Sequence, residues 1–547
     1  MHIVRIGDGS APACSAETVG AKAANLARMA ALGLPVPPAF VLPVKLCAAV
    51  INDEPAARRK LHDALCQGIA FLESATGKRL GDRRRPLLVS VRSGAARSMP
   101  GMLDTVLDVG CTPDAVQGLI RMTGRPRLAW DCRRRFLESY AETVLALAPA
   151  PFAACLAELV ARDGVRNDRE LDSEALECAA ARHLALIEDH DDGWFEDALA
   201  QVDSAALAVI HSWNSERAQT YRRLQKLDKL RGTAVTVQAM VFGNAGLASG
   251  AGVAFSRDPS TGEARPMIDV MLDAQGEDIV SGHRTPDTNE AISHALPTIA
   301  AELQDALKRL ECEFGDVQDV EFTIEDNKLW MLQTRAAKRT PRAALRIAVD
   351  LVHEGSITER QALQRLEKID LSALAETQLA TADAPMIRGI GASGGVAVGR
   401  AAFSLPGALR LQAIGDPVIL IRPDATTADI SSFDIAAGIV TAAGARTAHA
   451  ALVARQLAKP CIVGCTGLAI DTDKAQLGGT TIQDGDWVAI DGDSGCVYRG
   501  RSEVIISRPQ AELAEVERWR HRIEASVSQP THGTLHRSHQ PAGIDAS

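Results

Sequence analysis

Gly444-Ala-Arg-Thr-Ala-His-Ala-Ala-Leu-Val-Ala-Arg455 sets a single histidine, His449, between a glycine-bearing turn and a run of small, helix-compatible residues. The spacing predicts that His449 stands at the mouth of a helix. Backbone N–H groups and the dipole at a helix start favour anions, so they would steady a phosphoryl group on the ring. The same field disfavours imidazolium and keeps a ring nitrogen free to attack. A locally satisfied structural histidine fits the pattern as well, so the rest of the chain has to decide.

A chain of 547 residues predicts roughly three or four domains. Lys+Arg of 59 against Asp+Glu of 69 gives a net charge of −10, which argues against a nucleic-acid partner. The basic run Asp82-Arg-Arg-Arg85 is short enough to be a solvated loop. Eleven scattered cysteines without a CxxC pair suit a reducing compartment, with Cys461 and Cys465 as buried packing residues. The start, Met1-His-Ile-Val-Arg-Ile-Gly7, lacks a signal-peptide core, and nothing approaches about 18 uninterrupted apolar residues. A cytoplasmic globular protein, without membrane contact, is expected.

Residues 1 to about 110 read as short strands and Gly/Pro turns with one Ala-rich helix, Ala21 to Leu32, closed by Gly33. From about 112 to 208, Ala, Leu, Arg and Glu at helical spacing predict a helical insert. Strands are expected to return at Thr233–Phe242 and continue to Thr340. A connector follows, with a helix over Ala343–Val352 stopped by Gly355 and a second opened by a capping box, Ser356-Ile-Thr-Glu359. Ala375 to Pro385 reads as a polar hinge, and strands with glycine turns run on to about 500. A helix over Pro509–Ile523 precedes a tail, from about 526, of low apolar content that is expected to be disordered. Its His532, His536 and His539 could chelate metal, but a floppy polar tail accounts for them far better.

Two constellations in the first part suit a nucleotide. Leu87-Leu-Val-Ser-Val91 reads as a buried strand running into Arg92-Ser-Gly-Ala-Ala-Arg-Ser-Met-Pro-Gly-Met102. Small residues and glycines there, Gly94 and Gly101 among them, let backbone N–H groups approach phosphate oxygens. Arg92 offers a planar fork, and Lys22 lies in another glycine turn, Gly20-Ala-Lys-Ala-Ala-Asn25. The loop is not a Walker A motif. In the second constellation, Asp319, Glu321 and Thr323 alternate along one strand, and Gln333 and Arg335 along the next. A three-residue loop, Asp326-Asn-Lys328, would set Glu321 opposite Gln333 and Asp319 opposite Arg335, whereas a two-residue turn would separate them. In the first register the oxygens converge as Mg²⁺ held by one or two carboxylates requires. A hairpin with a solvated polar face is the competing account.

With these residues in view, the chain resembles the pyruvate phosphate dikinase family, within the broader group of phosphoenolpyruvate-utilising enzymes. The likeness rests on Ser90–Val106, on Gln238-Ala-Met-Val-Phe-Gly-Asn244 with Gly252-Val-Ala-Phe-Ser-Arg257, on Val320–Glu325 with Met331-Leu-Gln-Thr-Arg335, and on the His449 segment. These blocks stand in family order and cover residues 1 to about 505. The resemblance implies a multidomain α/β (α+β) protein. An ATP-grasp-type nucleotide domain would occupy 1–340, a helical connector and hinge 341–384, and a swivelling β/β/α phosphohistidine domain 385–505, with a terminal helix and tail over 506–547. It also implies that Lys22, Arg92, Gly94, Gly101, Gln238, Asp319, Glu321, Gln333 and Arg335 bind ATP, with Glu277 and Asp278 nearby and Glu321 and Gln333 on Mg²⁺. His449 would take the phosphoryl group, with Thr447 assisting, as ATP and inorganic phosphate become AMP and pyrophosphate.

Departures from the family pattern qualify this expectation. Ala251 stands where threonine is usual beside the polyphosphate, Ala448 replaces a serine before the histidine, and Ala21 and Ala23 replace glycines around Lys22. The pyruvate-binding barrel of the family has no counterpart in these residues, so the acceptor, with pyruvate as the first candidate, is expected on another chain. A homo-oligomer is compatible with the sequence. A catalytically silent nucleotide-binding scaffold is the competing reading, and retention of Lys22, Arg92, Glu321, Gln333, Arg335 and His449 together argues against it.

Overall fold

The computed structural model describes residues 3–7, 9, 14–97, 99, 102–188, 197–280, 289–380, 383–424, 430–446, 449–471 and 473–528. The architecture is mixed α/β, with several sheets separated by helical regions.

Two antiparallel sheets organise the first part. One has the spatial order Val4–Ile6, Ala39–Leu42, Ala234–Ala239, Val89–Gly94, Thr105–Val109. Along Ala39–Leu42 the side chains alternate between two cores. Phe40 and Leu42 enter one with Leu65, Leu72 and Phe136, while Ala39 and Val41 enter another with Leu26, Met29 and Leu303. That period of two is what a strand covered on both faces requires.

Much of the first core comes from a 20-residue helix, Ala57–Thr76, so the expectation of a single helix before residue 110 is corrected. Leu61, Leu65, Ile69 and Leu72 recur on one face. The charged Arg58-Arg-Lys60 start and interspersed polar residues disguised that stripe. Helices then fill Pro113–Thr123, Pro126–Thr143, Ala150–Asp163, Ser173–Glu188, Ala198–His211 and Glu216–Leu224, running past the expected end near 208.

The second sheet has the order Lys328–Ala336, Gln318–Glu325, Gly250–Phe255, Met267–Leu272. Its outer face is covered by Pro297–Phe314, an 18-residue helix where strands were expected to continue. Ile299, Leu303, Leu307 and Leu310 give it the apolar stripe, packed on Val320, Phe322 and Ile324.

The connector starts with Pro341–His353, capped by the Thr340 hydroxyl, and Gly355 follows in the left-handed region at φ 71°. The capping box of the next helix, Glu359–Leu366, is Thr358 with Gln361 rather than Ser356 with Glu359. The Ser356 N–H is already engaged by the Leu351 carbonyl at 2.9 Å, closing the helix before it. Buried Arg257 ties sheet to connector through Glu311 (2.7 Å) and Glu354 (2.5 Å). The expected hinge contains a strand, Glu376–Leu379, which pairs antiparallel with Val504–Ser507. The chain passages into and out of the last sheet are thereby joined by backbone hydrogen bonds. Residues 381–382 of that hinge lie outside the described residues. The helix Gln510–Ser528 then returns to the connector and buries Val516 and Trp519 completely. The tail histidines, His532, His536 and His539, lie outside the described residues.

The last large sheet has eight strands, and four neighbours in it, Val396–Ala402, Val418–Arg422, Gly438–Thr441 and Cys461–Val463, run parallel. A parallel pair needs a crossover connection. Between Gly438–Thr441 and Cys461–Val463 that crossover is a helix, His449–Gln456, so His449 begins it. Its start lies beyond the carboxyl end of a parallel strand, where α/β sheets present ligand-facing backbone. Cys461 and Cys465 are free and buried as expected, and burial pushes both thiols up to about 12.

Candidate functional site

Gly20 decides where Lys22 stands. It has φ 80° and ψ 156° and interrupts the helix Ala16–Ala31, so the regular part begins after it, near the expected Ala21. A Cβ on Gly20 would lie 2.1 Å from the Gly94 carbonyl oxygen, and only glycine allows this approach. The Ala21 N–H donates to the Ala95 carbonyl at 2.9 Å. The lysine turn and the loop after the Arg92 strand are thereby locked together. The Gly94 N–H donates to the Thr233 hydroxyl at 3.1 Å, which makes Gly94 a packing residue. Gly101 lies outside the described residues.

Lys22 is exposed to water although protein surrounds much of it. Lost hydration lowers the pKa of its ammonium, Glu321 acts against that, and Arg92 and Arg335 reinforce it. These four charges therefore share one electrostatic environment.

The hairpin supplies the facing wall. Glu321 pairs with Gln333 and Asp319 with Arg335, as the expected register required, but by another route. The turn has two residues, Asp326 and Asn327, both in the left-handed region, and Glu325 faces Lys328. That turn alone would have separated the pairs. A β-bulge between Glu321 and Phe322 places Leu332 as the extra residue of the partner strand and shifts the register back. The Gln333 amide donates to Glu321 Oε1 at 3.2 Å, and Arg335 Nε donates to Asp319 Oδ2 at 2.8 Å. Asp319 is 1% exposed and its Oδ1 has no hydrogen-bond partner among the described residues. Burial raises its pKa, and Arg335 opposes the rise.

Sequence reasoning missed the residue that holds Glu277 and Asp278. Arg135, on the helix Pro126–Thr143, donates to both Asp278 oxygens at 3.1 and 3.2 Å and lies 3.5 Å from Glu277 Oε2. Buried Asp131 anchors it at 3.0 Å and also accepts from the Asn244 amide at 2.8 Å. Arg135 is 142 residues from Glu277, so only the fold brings them together. Gln238 is buried in the five-stranded sheet, where its amide donates to the Pro37 carbonyl at 3.2 Å. Ala251, fully buried, pairs with Thr323 and Met271.

The crossover helix is docked against this wall. Arg446 donates to Asp269 through its backbone N–H (3.1 Å to Oδ2) and its guanidinium (2.5 Å to Oδ1). Asp269 pairs with Val253, Val253 with Glu321, and Glu321 with Gln333. One cross-strand row of the second sheet therefore carries the docking contact and the carboxylate–amide pair. Directly paired residues point to the same sheet face. The backbone of His449 opens the helix three residues after Arg446; its side chain, with Thr447 and Ala448, lies outside the described residues.

Glu321 and Gln333 offer hard oxygen donors of the kind Mg²⁺ takes. Among the described residues no group of three His, Cys, Asp or Glu could hold a metal ion alone. No described helix is long and apolar enough to cross a membrane.

Two family models match the chain. Residues 55–302 and 289–356 match the family model "Pyruvate phosphate dikinase, AMP/ATP-binding domain". Residues 414–495 match "PEP-utilising enzyme, mobile domain". The chain is 38% identical over 540 residues to pyruvate, phosphate dikinase 2 of Oryza sativa, covering 96% of this chain and 61% of that one. It is 39% identical over 509 residues to pyruvate, phosphate dikinase of Clostridium symbiosum, covering 92% and 58% respectively. The chain thus spans about three fifths of the length of these curated relatives.

Proposed function

The chain belongs to the pyruvate phosphate dikinase family, and we propose that residues 1–547 perform the nucleotide half of a dikinase reaction. In this reading the first 340 residues form an ATP-grasp-type unit with a helical insert. His449, on a swivelling unit, attacks ATP through an imidazole nitrogen. ATP and inorganic phosphate become AMP, pyrophosphate and a phosphohistidine. The phosphoryl group then passes to an acceptor held outside these residues, with pyruvate the first candidate.

The observation that carries the reading is the shared row. The loop three residues before His449 is fastened to the sheet row that bears Glu321 and Gln333. Phosphoryl transfer asks a protein mainly for positioning and charge neutralisation. Lys22, Arg92 and Arg335 supply positive charge, and Arg335 is oriented by Asp319. Glu321 and Gln333 would hold Mg²⁺, which would supply further charge neutralisation. Arg135 orients Glu277 and Asp278.

The test is incubation with Mg-ATP, with and without phosphate, followed by mass spectrometry of His449 and nucleotide analysis. A labelled His449 with AMP and pyrophosphate is expected. ADP as the sole product, or an unlabelled His449, would overturn the reading.

A pH profile follows from Lys22. Its ammonium form neutralises phosphate and its pKa is lowered, so phosphorylation should fail, as pH rises, below the ordinary lysine value of about 10.4. Lys22→Arg, which cannot deprotonate in that range, should remove this alkaline limb. Identical profiles for the two proteins would exclude Lys22 as its source.

A further inference from the structure

We propose that Cys66, His62 and Asp203 form a base-assisted thiol site on the helix Ala57–Thr76, which reacts with small disulfides and keeps one half as a mixed disulfide; it does not depend on the function proposed above.

His62 and Cys66 stand four residues apart on that helix, so they share a face. Cys66 Sγ lies 3.6 Å from His62 Nε2. The other ring nitrogen, Nδ1, lies 2.7 Å from Oδ2 of Asp203, which is 141 residues away in the chain on the helix Ala198–His211. A carboxylate only accepts, so Nδ1 carries the proton and Nε2 turns its lone pair to the thiol. The ring is thus engaged on both sides, in the order thiol, base, carboxylate. A plain surface ion pair needs only one of those contacts and stabilises little. The three groups are also within reach of solvent. The His62 side chain is 51% exposed and that of Asp203 25%, and Cys66 is half-buried.

Without its base Cys66 would be inert. Burial first, and then the carboxylates of Asp203 and Asp63, push its thiol up. His62 offers another route to the thiolate. The S–H proton passes to Nε2, and Asp203 stabilises the imidazolium that results. The thiolate attacks one sulfur of the disulfide, and a new S–S bond forms as the old one breaks. The departing sulfur takes the proton back from Nε2 and leaves as a thiol. Cys66 is oxidised and the small disulfide is reduced, so the exchange balances without a further reagent. Acyl transfer suits the place less well. Both residues lie inside a helix, whose backbone N–H groups are spent on its own hydrogen bonds and cannot form an oxyanion hole. The buried stripe of this helix is Leu61, Leu65, Ile69 and Leu72; Cys66 lies off it, so an added group leaves the core intact.

The experiment exposes the full chain at neutral pH to hydroxyethyl disulfide, a small uncharged probe, and follows adduct formation by peptide mass spectrometry. Exposed Cys312 is the internal standard, and it also reports whether a variant remains folded. Cys66 should react at least about tenfold faster than Cys312 in the parent chain. In His62→Gln it should fall below Cys312, and Asp203→Asn should slow it by about tenfold with Cys312 unchanged. A parent Cys66 slower than Cys312, or a Cys66 rate equal to the parent's in both variants, would overturn the site. The readout involves neither nucleotide nor His449, so its failure leaves the proposed function standing, and the converse also holds.

Discussion

A His449→Ala protein will bind Mg-ATP and carry no phosphoryl group. Alanine is the best helix former, so the crossover helix that opens at residue 449 keeps its start and the sheet its parallel pairing. The fold on either side persists, since Ala450, Ala451 and Ala454 pack the helix against Leu420, Phe433 and Ile439. What disappears is the proposed nucleophile, and a covalent intermediate cannot form without one. Labelling with radioactive ATP should fall to background while nucleotide affinity stays within about threefold of the parent, because the proposed nucleotide contacts lie on other residues. Wild-type labelling in this protein would identify another acceptor.

Glu321→Gln should slow phosphorylation of His449 by at least about a thousandfold at ordinary magnesium concentration. The change keeps size and hydrogen-bonding capacity, so the bulged hairpin should survive and Gln333 keep a partner. It removes the carboxylate proposed to hold the ion. It also removes the charge that acts against the lowering of the Lys22 pKa, so the lysine would lose its proton more readily. Single-turnover rates across a magnesium series separate the two effects. A deficit that rising magnesium partly restores belongs to the metal, and one that lower pH restores belongs to Lys22. A rate within tenfold of the parent would place the ion elsewhere.

Legibility in the sequence followed how local each determinant was. The alternation of Asp319, Glu321 and Thr323 belongs to one strand, and a period of two was enough to put them on one face. The helix start at His449 and the kink before Lys22 announce themselves through Gly444 and Gly20. The hairpin register shows the limit of such reading. The facing pairs were anticipated, but from a three-residue loop that does not exist. A two-residue turn and a bulge at Leu332 reach the same pairing, and a bulge leaves no composition signal. The helices Ala57–Thr76 and Pro297–Phe314 were missed because their apolar stripes are interleaved with charge, and burial rather than propensity stabilises them.

Sequence alone determined which chemistry-bearing residues exist and which local elements carry them: a histidine at a helix mouth, acids and amides on neighbouring strands, a lysine behind a glycine kink. Tertiary structure alone decided which of them meet. Arg135 reaches Glu277 across 142 residues and Asp278 across 143, and Arg446 reaches Asp269 across 177. Such pairings depend on how sheets and crossover helices pack, and packing is set by the sum of buried surfaces rather than by any residue's near neighbours in the chain.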